Sequence, residues 1–396
     1  LSRIHLGDQD LAAASGVLKE LLAQDKDVAA GRLRLAAILE KQGDLEGAER
    51  ELRTLIEQAP DEVGRHLQLV GFFERNGMSG KAEATLKELV ASRPEDANLR
   101  VALARYYAEK ERKEDVLQVL EKATQDLPEA WGPHEFLARH HLAVKENEKA
   151  VEVLDSFMER VQTGPDVLRA RLFKARIRFG EEKPEEALEL VNAVLEEDAG
   201  DVGAHALKGD ILAAQGDFGG AVAEYRAVVH DQPGNVGAAL KLARAHLMND
   251  EPAQAEELYK KILKENAEVR EAHAGLVDVY RRQQKPEQVE KALEGLLAVA
   301  PEDAAALTAL GDMALQARDV DKAKGYYERL QKVAPDSPVT LDKLGLIRLA
   351  SEDPDGALEQ FEASLTANPD YAPALNRMTA VLVRQVLARE HQARRT

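Results

Sequence analysis

Gly43-Asp44-Leu45-Glu46-Gly47-Ala48 recurs later in the chain as Gly216-Asp217-Phe218-Gly219-Gly220-Ala221, and more loosely as Arg318-Asp319-Val320-Asp321-Lys322-Ala323. Placing Ala48 at position 20 of a 34-residue unit puts Ala14, Ala82, Val116, Ala150, Ala187, Ala221, Ala255, Val289, Ala323 and Ala357 in the same slot. Position 8 is small in most units, as at Ala36, Ala104, Gly209, Gly311 and Gly345. Position 24 is large and apolar, as at Leu52, Leu154, Tyr225, Tyr259, Tyr327 and Phe361. Position 32 holds Pro60, Pro94, Pro128, Pro233, Pro301, Pro335 and Pro369. A fixed period of this length is the signature of a repeat architecture.

On these residues the chain resembles the tetratricopeptide repeat (TPR) family over nearly its whole length. The resemblance implies an all-α fold, an α-α superhelix of helix-turn-helix units. Small residues would stand where paired helices come closest, with large ones filling the gaps beside them. One such unit cannot bury its apolar side alone, so neighbours must stack. The register gives a partial unit at 1–28, four full units at 29–164, an insertion at 165–167, six full units at 168–371 and a terminal helix at 372–396. Proline tests this register, because it costs about 3 kcal/mol inside a helix. Pro184, Pro252, Pro286 and Pro354 fall at position 17, in the first turn of the second helix, where proline is tolerated. Pro133, Pro165, Pro338 and Pro373 fall at or just before expected helix starts.

Two places break the pattern. The insertion after Thr163-Gly164 interrupts the spacing, with Phe157 before it and Lys174 at position 7 after it. It reads either as a local change of superhelical pitch or as a longer loop. Leu1 enters in the middle of a first helix, which reads as a fragment of a longer chain. The last segment keeps Leu375, Met378 and Leu382 on one face. It turns basic at Arg384, Arg389, Arg394 and Arg395, as suits a solvated closing helix.

The 396 residues carry 71 acids against 53 bases, a net charge of −18 that argues against a general nucleic-acid binder. With no cysteine, disulfides, thiolate nucleophiles and Cys-type zinc sites are excluded. No apolar run reaches the roughly 20 residues of a membrane span. Aromatics make up only 4%, so the core must be built from Ala, Leu and Val.

No catalytic motif emerges and no cofactor is expected. Gly77-Met78-Ser79-Gly80-Lys81-Ala82 has the wrong glycine spacing for a phosphate loop and no hydroxyl after Lys81. His134, His140 and His141 cluster, but His66, His134, His205 and His273 all occupy position 4, and His5, His141 and His246 position 11. These are expected to be packing positions and not metal ligands. Glu181-Glu182 and Glu185-Glu186 read as charges that complement helix starts.

The resemblance implies that the first helices line a concave face into which positions 2, 5, 9 and 12 point. Position 9 reads Ala37, Gly71, Arg105, Arg139, Arg176, Asp210, Arg244, Asp278, Asp312 and Leu346, while position 2 adds Asn98 and Arg169. The middle of that face is therefore expected to be basic and the later part acidic. Asn98, Arg105, Arg139, Arg169, Arg176 and Arg244 are the candidate partner-binding residues. The expected occupant is an acidic, extended protein segment, because a guanidinium can make two parallel bonds to a carboxylate. Family members that bind C-terminal carboxylates use a clamp of Lys and Asn that is absent here, where positions 5 and 9 read Leu67 with Gly71 and Val101 with Arg105. The expected function is a noncatalytic protein-interaction scaffold. The alternative is a regulatory or substrate-presenting region of a larger enzyme, such as a glycosyltransferase, or an exopolysaccharide-secretion factor. Among the residues at positions 2, 5, 9 and 12 only Phe179 is aromatic, which disfavours polysaccharide binding. The Ala-rich units are similar in style to long TPR proteins of bacterial envelopes, which implies a lean toward that compartment.

Overall fold

The turn that opens the second helix of each repeat is built the same way ten times. Position 15 adopts a left-handed backbone in every full repeat, with φ of +80° at Gly43, +57° at Glu111 and +60° at Arg318. The next residue then starts the helix. Asp44 accepts a hydrogen bond from the Gly47 amide at 2.9 Å, and Asp217, Asp319 and Asp353 do the same for Gly220, Lys322 and Gly356. A capping carboxylate satisfies an amide that lacks a helical partner and meets the positive end of the helix dipole. Asp96, Asp201, Asn235 and Asp303 cap first helices similarly. Only glycine adopts a left-handed φ without steric cost, and other residues lose about 1–2 kcal/mol there. Replacing exposed Gln284, at φ +55°, with glycine is expected to raise stability by about 1 kcal/mol in urea unfolding. Gly43→Ala should lower it comparably.

The computed structural model describes residues 11–24 and 28–393. Leu1, His5, Arg394 and Arg395 lie outside the described residues. The chain forms two compact bodies, one ending at Lys183 and one beginning at Pro184. The first contains α1 (Leu11–Gln24), α2 (Ala29–Gln42), α3 (Leu45–Gln58), α4 (Val63–Arg75), α5 (Ser79–Ser92), α6 (Ala97–Glu109), α7 (Lys113–Asp126), α8 (Trp131–Ala143), α9 (Asn147–Val161) and α10 (Pro165–Gly180). The second contains α11 (Pro184–Glu197), α12 (Val202–Ala214), α13 (Phe218–Asp231), α14 (Val236–Met248), α15 (Pro252–Glu265) and α16 (Arg270–Arg282). It continues with α17 (Pro286–Val299), α18 (Ala304–Gln316), α19 (Val320–Val333), α20 (Pro338–Ala350), α21 (Pro354–Ala367) and α22 (Ala372–Ala393). Within each body every helix packs on the next, and no strand occurs among the described residues. The fold is an all-α repeat solenoid, as its periodicity predicts.

The position-8 and position-24 slots explain each other. A methyl on Gly311 would stand 2.2 Å from the Tyr327 ring, one on Gly209 2.6 Å from Tyr225, and one on Gly345 2.5 Å from Phe361. The position-20 alanines are fully buried, Ala48, Ala82, Ala150 and Ala323 among them. The insertion makes neither an extended loop nor a gap. Residues 165–167 form the first turn of α10, which has 16 residues where the first helices from α12 to α20 have 13. Pro165 at its start is pre-set for that turn. Phe157 is fully buried against Trp131 and His134, and Lys174 reaches Asp155 at 2.6 Å. α22 buries Ala374 and Val381 and packs half-buried Met378 against the same cluster, whereas Leu375 and Leu382 are exposed.

Ion pairs join neighbouring repeats at a spacing close to the repeat length. Arg75 bonds Glu40 through two nitrogens at 3.0 and 3.1 Å, and Lys81 bonds Glu49 at 2.7 Å. Glu83 accepts from Lys87, from Arg112 of the next repeat and from the Tyr107 hydroxyl, which together hold its carboxyl down at about 2. Glu181, bonded to Arg178 and Lys183, is likewise lowered to about 2. Glu181 is thus part of an ion-pair network rather than a simple solubilising charge. Carboxyls lowered in the folded state stabilise it fully above the unfolded value of about 4.3, and that contribution fades as pH falls toward 2. The melting temperature is therefore expected to drop between about pH 4.5 and 2, and the drop should be shallower in Glu83→Gln/Glu181→Gln.

Candidate functional site

Position 9 lies on the outer side of each first helix, one residue past the buried position-8 slot. A helical step of 100° moves it from the closest approach to the edge of the helix pair, where a side chain is either exposed or reaches the paired helix from the side. In the first body it brings Arg105 on α6, Arg139 on α8 and Arg176 on α10 to the surface, all exposed. They are not equivalent. Arg139 is bonded to Glu135 at 2.7 and 3.0 Å, and its guanidinium lies 5.1 Å from the Phe173 ring centroid. Arg169 is bonded to Asp166 at 2.8 Å. Arg105 and Arg176 have no ion pair among the described residues. Asn98 is exposed at the start of α6, where its amide donates to the capping carboxylate of Asp96.

In the second body the expected acidity of this face is corrected. Asp210 accepts from the Tyr225 hydroxyl at 2.6 Å and from Lys241 at 2.7 and 2.8 Å. Asp312 repeats the arrangement with Tyr327 at 2.6 Å and Lys343 at 2.7 and 2.8 Å. Both carboxylates are therefore spent on structure, each tying a first helix to its own second helix and to the next repeat. Burial first, and then the bonded carboxylate, pushes the Tyr225 and Tyr327 phenols well above their ordinary value. Asp278 lacks both partners, since its repeat has Leu293 at position 24 and the next has Ala309 at position 6. Its side chain is accordingly 66% exposed. Arg244 is exposed with no ion pair among the described residues, beside a pocket of about 430 Å³ floored by Ala213 and Ala214.

Lys241 and Lys343 escaped the sequence reading. Their signal was present as Asp at position 9, Tyr at 24 and Lys at position 6 of the following repeat. A third lysine-like position, Arg377, bonds fully buried Asp342.

The other candidates are engaged elsewhere. Lys81 pairs with Glu49 and lies 5.4 Å from the Phe73 ring centroid. His134, His141 and His246 are buried, as expected of packing positions. Among the described residues no three His, Asp or Glu side chains converge in a way that could hold a metal. No helix among them is long and apolar enough to cross a membrane.

Models of tetratricopeptide repeats match residues 5–71, 212–278 and 274–338, and a model of a tetratricopeptide repeat-like domain matches 135–236. The chain belongs to the TPR family. TPR repeats are generally protein-interaction modules. No curated protein matches its sequence. Among solved structures it is similar to a tetratricopeptide repeat protein from Parabacteroides merdae, with 15% identity, 64% of this chain and 98% of that chain covered, and a TM-score of 0.45. It is also similar to yeast Tom70, with 14% identity, 98% and 95% coverage and a TM-score of 0.40. YrrB, described as a TPR protein with an unusual peptide-binding site, shares 17% identity over 47% of this chain and 96% of its own, with a TM-score of 0.39.

Proposed function

We propose that this TPR chain is a noncatalytic scaffold that holds extended, acid-bearing segments of partner proteins along the first-helix face of each body. One observation carries this reading. At position 9 the acids Asp210 and Asp312 are neutralised internally, whereas Arg105, Arg176 and Arg244 stand exposed without ion pairs among the described residues. The charge left for a partner is therefore more positive on this face than a residue count suggests. A free guanidinium bonds an incoming carboxylate without first giving up a partner, so these arginines are the anchors. Arg139 and Arg169, already bonded, and Asn98 contribute less. The whole-protein charge of −18 keeps acidic segments off the remaining surface. The test is capture of partners from the native organism by the intact chain and by one with Arg105, Arg176 and Arg244 reversed to glutamate. Identical captured sets would remove the basis of the proposal.

A further inference from the structure

A second groove lies on the opposite kind of surface, between the second helices α7 and α9, with a volume of about 820 Å³. Its floor comes from α8 and includes His134 and His141, only 3% and 6% exposed. His134 Nδ1 is 2.9 Å from the Ala130 carbonyl oxygen. A carbonyl can only accept, so Nδ1 carries the proton, and Nε2 of the neutral ring is left as an acceptor. Burial favours that neutral form by lowering the pKa of His134. His141 Nδ1 is 2.8 Å from a Glu146 carboxylate oxygen, which again places a proton on Nδ1. Neither Nε2 has a hydrogen-bond partner among the described residues.

The walls add Glu121, Glu152 and Glu159, all exposed and without an ion pair among the described residues. Of the two cations at the groove, Lys149 is held by Glu146 at 2.8 Å, and Arg160 is exposed without an ion pair among the described residues. The groove thus offers three carboxylates without ion pairs and, on its floor, the Nε2 acceptor of His134, against a single unpaired guanidinium, that of Arg160. Leu117 and Val153 line it as well and could cover a methylene stem.

We infer that this groove docks a lysine- or arginine-bearing segment of a protein partner, whose ammonium or guanidinium groups pair with Glu121, Glu152 and Glu159 and donate to His134 Nε2. The site is independent of the first-helix face and has the opposite charge preference. One molecule could then hold an acidic and a basic partner at the same time.

The test titrates the full chain into a short labelled peptide of alternating Lys and Ala and follows its anisotropy. Glu121→Gln/Glu152→Gln/Glu159→Gln should weaken binding about tenfold or more, equal to about 1.4 kcal/mol. The control Glu257→Gln/Glu287→Gln/Glu362→Gln makes the same charge change on exposed residues of the second body and should leave affinity nearly intact. The Nε2 resonances of His134 and His141 should shift as peptide is added. Equal losses in the two triple variants would mean diffuse attraction to an acidic protein, and unmoved imidazole resonances would place the peptide elsewhere. Either result overturns the assignment, as does spermidine binding as tightly as the peptide.

Discussion

Tyr327→Ala is expected to destabilise the fold by about 3–5 kcal/mol, the cost of emptying a buried aromatic site. Tyr327 is fully buried, lies against Gly311 and donates its hydroxyl to Asp312 at 2.6 Å. Its removal leaves a cavity and strips Asp312 of one of its two partners. In a stack of repeats the damage should stay near the site, because each repeat senses only its neighbours. Hydrogen exchange should therefore accelerate around residues 304–350 and much less elsewhere in the chain. Gly311→Ala alone should cost about 1–3 kcal/mol by overpacking, against a helix-propensity gain of about 1 kcal/mol. Combined with Tyr327→Ala, the added methyl enters the cavity, so the double variant should be more stable than the sum of the singles implies. Strict additivity in urea unfolding would mean that the two residues do not share one space.

Arg105→Glu/Arg176→Glu should weaken binding of an acidic extended peptide about a hundredfold, or about 2.8 kcal/mol. A charge-assisted hydrogen bond contributes about 1.5–3 kcal/mol, and reversal adds repulsion at each site. Both side chains are exposed and without ion pairs among the described residues, so stability should change by no more than about 0.5 kcal/mol. The ranking is the sharper expectation. Arg139→Glu should cost less affinity than Arg176→Glu, because Arg139 already bonds Glu135 and stacks on Phe173. Anisotropy titrations at two salt concentrations provide the measurement. A single Arg139→Glu that equals or exceeds Arg176→Glu would rule out free guanidinium groups as the anchors.

The chain's own letters were enough to determine the paired-helix repeat, its register and the placement of its turns. A repeated unit states the same local chemistry many times, so Gly43-Asp44, Gly216-Asp217 and the sorted prolines reinforce one another. The close fit of Gly311 to Tyr327 was visible as small against large at two slots. The destination of the three residues 165–167 was not, because either a loop or a longer helix can absorb them, and Pro165 opens a helix only where its neighbours leave room for the extra turn. The availability of charge was also hidden. Asp210, Asp278 and Asp312 share one slot, yet two are bonded to lysines about one repeat away and one is exposed. The groove beneath His134 and His141 belongs to the same class, since it depends on which nitrogen each ring spends on the backbone or on Glu146. Sequence sets helix and register through interactions between near neighbours. Which charges remain unspent depends on side chains meeting across repeats, and only the tertiary structure decides that.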